Sequence, residues 1–152
     1  MIKGFFWISL VFIFYSYAGY SLLTFLVSFF FNRKIKKDES YTPFVSILIA
    51  AYNEEKNIGS KLENTLNLDY PKEKLEIIVV SDGSTDKTDS IVNDFAKKGV
   101  SLYRVEGRVG KTEARNKAVN IAKGEIIVFS DATTVYDKLA IRKMVRNFCD
   151  DS

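Results

Sequence analysis

Histidine is absent from this 152-residue chain, which removes Ser-His-Asp triads, HExxH zinc sites and any imidazole base from what these residues can supply. Cysteine occurs once, as Cys149. An intrachain disulfide and a multi-cysteine metal cluster are therefore both excluded, and a lone Cys on an apolar helical face reads as a small core residue. A basic stripe is also missing. The formal net charge is +3, and it resides in Lys3 and the cluster Arg33, Lys34, Lys36 and Lys37, partly offset by Asp38 and Glu39, while acidic and basic residues balance from Tyr41 onward. That distribution argues against a nucleic-acid binder. With 47% hydrophobic and 27% charged residues, ordinary disorder is excluded as well.

The longest absence is of charge: none occurs between Gly4 and Phe31, a stretch that holds more than half of the aromatic residues. As a helix it rises roughly 40 Å, enough to cross a hydrocarbon core with some tilt. It is about twice as long as a signal-peptide core, and no small-x-small cleavage site precedes Arg33. The basic cluster outweighs Lys3, so the positive-inside tendency puts the rest of the chain in the cytoplasm. The expected organisation is a transmembrane anchor with its basic cytoplasmic flank at 1–37, then an α/β domain at 38–152, entered through a polar linker from Asp38 to Pro43.

Beyond the linker, β-rich apolar runs at Phe44–Ala51, Leu75–Ser81, Val100–Val105 and Glu125–Ser130 predict four strands. The first, second and fourth lack clean alternation, as strands buried on both faces do. Helical patterns lie between them. Ile58, Leu62 and Leu66 recur at i, i+4 and i+8. Ile91, Val92 and Phe95 precede the stop Lys97-Lys98-Gly99, and Ala114, Ala118, Ile121 and Ala122 precede the stop Lys123-Gly124. A last helix carries Leu139, Met144, Val145 and Phe148. Strands alternating with helices predict right-handed βαβ units and a Rossmann-like, mainly parallel sheet flanked by helices.

Such sheets bind ligands beyond the carboxyl ends of their strands, which directs attention to Tyr52–Glu55, Ser81–Asp86, Glu106–Thr112 and Asp131–Tyr136. Asp82 directly follows a buried strand, where a carboxylate accepts from a base N–H or a ribose hydroxyl; it is too early to cap the next helix, a role that suits Thr85 or Asp86. Asp131 ends the fourth strand likewise. Opposite a diphosphate it can share a hard divalent cation, or it can form an Asx turn, and Thr133 and Thr134 suit turn or capping roles. The loop Arg104–Thr112 offers cations and glycines just before a helix, a setting suited to phosphate. Its GKT end imitates a Walker A motif, but GxxxxGK[ST] requires glycine where Val105 stands.

The ordered set VSILIAAYNEE (Val45–Glu55), VVSDGSTD (Val79–Asp86) and GKTEARNKAVNIAKGEIIVFSDA (Gly110–Ala132) resembles the nucleotide-binding half of a family-2 glycosyltransferase of the GT-A fold. The apolar amino terminus, with tyrosines around Tyr17–Tyr20, is similar to that of the family's membrane-embedded polysaccharide synthases. The resemblance implies a nucleotide-sugar donor, a UDP-sugar, transferred with inversion and with a divalent metal (Mn²⁺ or Mg²⁺) to a glycan or lipid-linked acceptor. It implies that Ala51, Tyr52, Asn53 and Glu55 form the first nucleotide-contacting turn, that Asp82 meets the uracil, and that Lys111, Arg115 and Asn116 line the donor site. Asp131 matches the first aspartate of the DxD motif, the metal ligand.

Two departures accompany the match. Thr133 stands where the motif's second carboxylate is usual, and the sequence holds neither the family's catalytic base nor its QxxRW-like motif, both expected beyond Ser152 in an acceptor-binding half. The expectation is accordingly a donor-binding half, weakly active or inactive alone. The alternatives are a membrane-anchored nucleotide-sugar-binding module without turnover and, more remotely, a P-loop NTPase.

Overall fold

Two kinds of sequence give two kinds of structure. The computed structural model describes residues 2–31 and 37–149, and the chain divides into two compact units, Met1–Ile35 and Lys36–Ser152. In the first unit α1 (Ile2–Phe14) and α2 (Tyr20–Phe30) are joined by a π-helical turn, Tyr15–Gly19. Together they make one helix, Ile2–Phe30, long and apolar enough to cross a membrane. It buries none of its residues. Of the basic flank, Arg33, Lys34 and Lys36 lie outside the described residues.

The second unit is an α/β sandwich. Its strands β1 (Val45–Ala51), β2 (Leu75–Asp82), β3 (Val100–Val105) and β4 (Ile126–Asp131) form one parallel sheet in the order β3-β2-β1-β4. The helices are α3 (Ile58–Leu66), α4 (Thr88–Asp94), α5 (Lys111–Val119) and α6 (Ala140–Val145). Strand alternation sorts them into layers. Val45, Ile47 and Ile49 of β1, with Ile77 and Val79 of β2, pack against Ile58 and Leu62 of α3, Val92 of α4, and Ile141 and Val145 of α6. Leu48, Ile78, Val80 and Val105 pack against Ala114 and Ala118 of α5 on the opposite face. Small alanines let α5 lie close to the sheet.

Three sequence expectations change. Among the described residues β4 pairs only with β1, at the edge of the sheet, and its Phe129 is 48% exposed, so it is not buried on both faces. α6 buries Ile141 and Val145, whereas Leu139, Met144 and Phe148 are exposed. Gly99 ends its helical segment in the left-handed region at φ 89°, as a glycine stop does, but Gly124 is there for another reason: a Cβ at that position would collide with the backbone N of Ser46. The Asp38–Pro43 segment is tied down, since Asp38 N–H donates to the Arg146 carbonyl, Glu39 pairs with Arg146, and the Tyr70 hydroxyl donates to the Pro43 carbonyl at 2.6 Å.

Candidate functional site

In the order β3-β2-β1-β4 the chain moves outward from β1 to β3 and returns to the other side of β1 for β4, so the switch point lies between β1 and β4. A cleft of about 250 Å³ opens at the carboxyl ends of these strands. It is lined by Ala51 at the end of β1 and Tyr52 just after it, Asp82 at the end of β2, Lys111 at the start of α5, Asp131 at the end of β4 and Thr133 beyond it. The registers Ala51↔Ser81 and Ala50↔Asp131 leave β1 between the two aspartates, which separates their strands by roughly 10 Å. Both carboxylates line the same cleft.

Asp82 is 6% exposed and accepts from the backbone N–H groups of Val109 and Gly110, each at 2.9 Å, one to each carboxylate oxygen. It thereby holds the Glu106–Gly110 loop across the end of β2. Gly83 makes that approach possible: its φ is +70°, and a Cβ there would stand 2.5 Å from the Gly107 carbonyl oxygen. Each Asp82 oxygen keeps a further lone pair for a ligand N–H. From the same loop the Arg108 guanidinium stacks over the Tyr52 ring, 4.3 Å from its centroid.

At the other end of the cleft Asp131 Oδ1 receives both Lys111 Nζ, at 2.6 Å, and Arg115 Nη2, at 2.7 Å. The Lys111 hydrogen bond holds the Asp131 carboxyl below its usual range; partial burial opposes this, and the charges of Lys111 and Arg115 reinforce it. Arg115 also donates to the Ser130 carbonyl. The carboxylate is thus ionised and already matched by two cations.

The remaining expected residues divide. Asn53, at φ 53°, gives its N–H to Ser84 Oγ and takes Thr85 N–H on Oδ1 at 2.8 Å. Glu55 N–H donates to Asp86 Oδ2, while Glu55 Oε2 accepts from Lys87 N–H. These two therefore lace the turn after β1 to the loop after β2 and do not line the cleft. Asp86 accepts from the backbone and hydroxyl of Thr88 at the start of α4, but the N-cap position expected for Thr85 or Asp86 is Lys87, and Asp86 acts from one residue before it. Asn116 is exposed on α5, and Arg104 turns away to the Ser84 carbonyl and Asp89. No sequence pattern marks Ala50, Val80 and Ala114, whose small or smooth side chains form the cleft wall, as lining a site, or singles out Lys61, buried behind the Asp131–Tyr136 segment.

A divalent metal can be tested against these groups. Among the described residues no three carboxylate, Cys or His side chains cluster as a metal cage. One carboxylate, Asp131, beside the Thr133 hydroxyl suits a hard cation that takes its other ligands from a diphosphate and water. The donor set therefore fits a metal carried in with a diphosphate, with Asp131 as its protein carboxylate.

The model of "Glycosyl transferase family 2" matches residues 46–152. The chain belongs to that family. It is 37% identical over 129 residues to the probable glycosyltransferase YdaM of Bacillus subtilis, covering 80% of this chain and 31% of that protein. It is 35% identical over 121 residues to a poly-beta-1,6-N-acetyl-D-glucosamine synthase of Staphylococcus epidermidis, covering 78% and 29%. The chain thus spans about a third of the length of these curated relatives. Among solved structures, the mannosyltransferase PcManGT from Pyrobaculum calidifontis, in complex with GDP-Man and Mn²⁺, superposes with a TM-score of 0.78 at 31% identity, over 93% of this chain and 43% of that one. S. aureus TarS 1–349 in complex with UDP-GlcNAc gives 0.63 at 31% identity, over 66% and 30%. The Rossmann-like GT-A fold expected from sequence is the fold observed.

Proposed function

We propose that this chain is the donor-binding half of a glycosyltransferase that moves a sugar from a UDP-sugar to a glycan or lipid-linked acceptor, with inversion, at the cytoplasmic face of a membrane to which Ile2–Phe30 anchors it. The observation that carries the reading is the convergence of Asp82, Lys111 and Asp131 on one cleft at the switch point. Tyr52 offers a ring to a base, Asp82 an acceptor to its N–H, and Lys111 and Arg115 positive charge to a diphosphate. Asp131 would hold a divalent Mn²⁺ or Mg²⁺, which when bound would supply charge neutralisation for a nucleoside diphosphate leaving group. Lys111 and Arg115 contribute to the same end by exchanging Asp131 for phosphate oxygens. The base that takes the acceptor proton belongs to an acceptor-binding half in a longer protein.

Thermal denaturation of the chain with and without UDP plus Mn²⁺ tests this, with GDP as comparison. UDP should raise Tm, and Asp82→Ala and Asp131→Ala should each abolish the shift while remaining folded. No shift with any nucleoside diphosphate overturns the reading.

A further inference from the structure

Asp131, the last residue of β4, and the segment that follows it present the oxygens of Asp131 and Thr133, yet among the described residues β4 pairs only with β1 and that pairing stops at Asp131. Within the segment one backbone bond, Thr134 N–H to the Asp131 carbonyl at 3.2 Å, closes a turn. Ala132 is buried in the core and Tyr136 packs against it, and further polar support comes from one face of α3. Lys61 Nζ donates to the Thr134 carbonyl at 2.7 Å and lies 3.8 Å from the centroid of the Tyr136 ring. One turn later, Asn64 receives Tyr136 N–H on Oδ1 at 2.8 Å and donates its own N–H to the Tyr136 carbonyl at 2.9 Å. Lys61 is 2% exposed. Desolvating an ammonium is costly, and a linear apolar side chain of similar length would fill the same space without that cost. The position therefore holds a cation that packing alone does not require.

We propose that Lys61 and Asn64 are positioning residues of the donor cleft: they clamp the Thr134–Tyr136 backbone from behind and so fix where Asp131 and Thr133 present their oxygens. The inference rests on the donor-binding reading. It bears on how a site with threonine in place of a second carboxylate keeps its geometry: Lys111 and Arg115 hold the Asp131 carboxylate from one side, and the clamp holds the backbone that follows it.

The test uses the full chain in detergent micelles, measuring amide hydrogen exchange without nucleotide and, separately, UDP–Mn²⁺ binding by calorimetry. Lys61→Met should speed exchange at 131–136 at least tenfold, leave exchange in β1 and β2 unchanged, and weaken UDP–Mn²⁺ at least tenfold. Lys61→Gln, which keeps a donor, should recover part of both. Asn64→Ala loosens the same segment and serves should Lys61→Met fail to fold. Unchanged exchange at 131–136 overturns the clamp whatever the nucleotide does, and so does faster exchange with unaltered nucleotide affinity. A wild-type chain that binds no nucleoside diphosphate defeats the donor reading separately.

Discussion

At the scale of single residues, Asp131 carries the sharpest consequence. Its Oδ1 is shared by Lys111 and Arg115, so a divalent cation arriving alone approaches two like charges, whereas a diphosphate gives those charges another partner. Metal and nucleotide should therefore bind synergistically, each raising the other's affinity by the same factor. Mn²⁺ titrated calorimetrically against the chain should bind at least tenfold more tightly with saturating UDP than without it, and Lys111→Met should strengthen Mn²⁺ alone while weakening UDP. Lys61 gives a pH signature. Burial lowers its pKa from the ordinary 10.5 to about 8, opposed by the charge of Asp131. The unfolded chain then holds the extra proton between those values, so this group makes stability rise as pH climbs from about 8 to 10.5. Urea midpoints across that range should show a shallower rise in Lys61→Met. Gly83 and Gly107 form a third contrast. Both have positive φ, but only at Gly83 does a Cβ meet backbone. Gly83→Ala should cost about 2–4 kcal/mol, combining φ strain with overpacking, and Gly107→Ala about 1 kcal/mol, read from urea denaturation.

Between elements, side chains bonded to neighbouring backbone decide the geometry. The turn after β1 and the loop after β2 are laced by Asn53, Ser84, Glu55, Asp86 and by Thr88, whose hydroxyl accepts from Glu54 N–H. At the opposite end of the sheet Ser46, fully buried, donates to Glu76 at 2.5 Å and accepts from Gly124 N–H at 2.8 Å, while Glu76 also takes Lys123 N–H. This network fixes the entry to β4 against β1, and Gly124 is the residue small enough to fit there. Ser46→Ala would leave the part-buried Gly124 N–H without its partner and should cost about 1 kcal/mol in a urea titration. The strand runs were legible because β-branched apolar residues without alternation signal a parallel sheet. The edge position of β4 was not, because burial of Phe129 depends on which strand lies beside it, and a run of apolar residues is the same at an edge as at the centre.

For the molecule as a whole, Met1–Ile35 and Lys36–Ser152 are separate units, and the apolar first unit exposes aromatic and aliphatic side chains along its length. Unburied area of that kind is stable in lipid, not in water. The full chain should sediment with membranes after cell lysis and resist extraction by salt, and deleting residues 2–31 should release the remainder to the soluble fraction, as immunoblotting of the fractions would show. Retention of the deleted form on membranes would contradict the anchor assignment.

Sequence by itself determined the span of the apolar helix, the βαβ alternation and the positions of Asp82, Lys111 and Asp131 at the ends of predicted elements, because hydropathy period and local punctuation are properties of contiguous residues. Tertiary structure alone decided what those groups do there. Asp82 holds a loop 27 residues further along the chain, Asn53 and Glu55 lace two loops together, and Lys61, to which the sequence pattern gives no role, is buried against a segment 73 residues away. Hydrogen-bond partners and desolvation are set by distance in space, and nothing local in the chain encodes which backbone atom a side chain will meet.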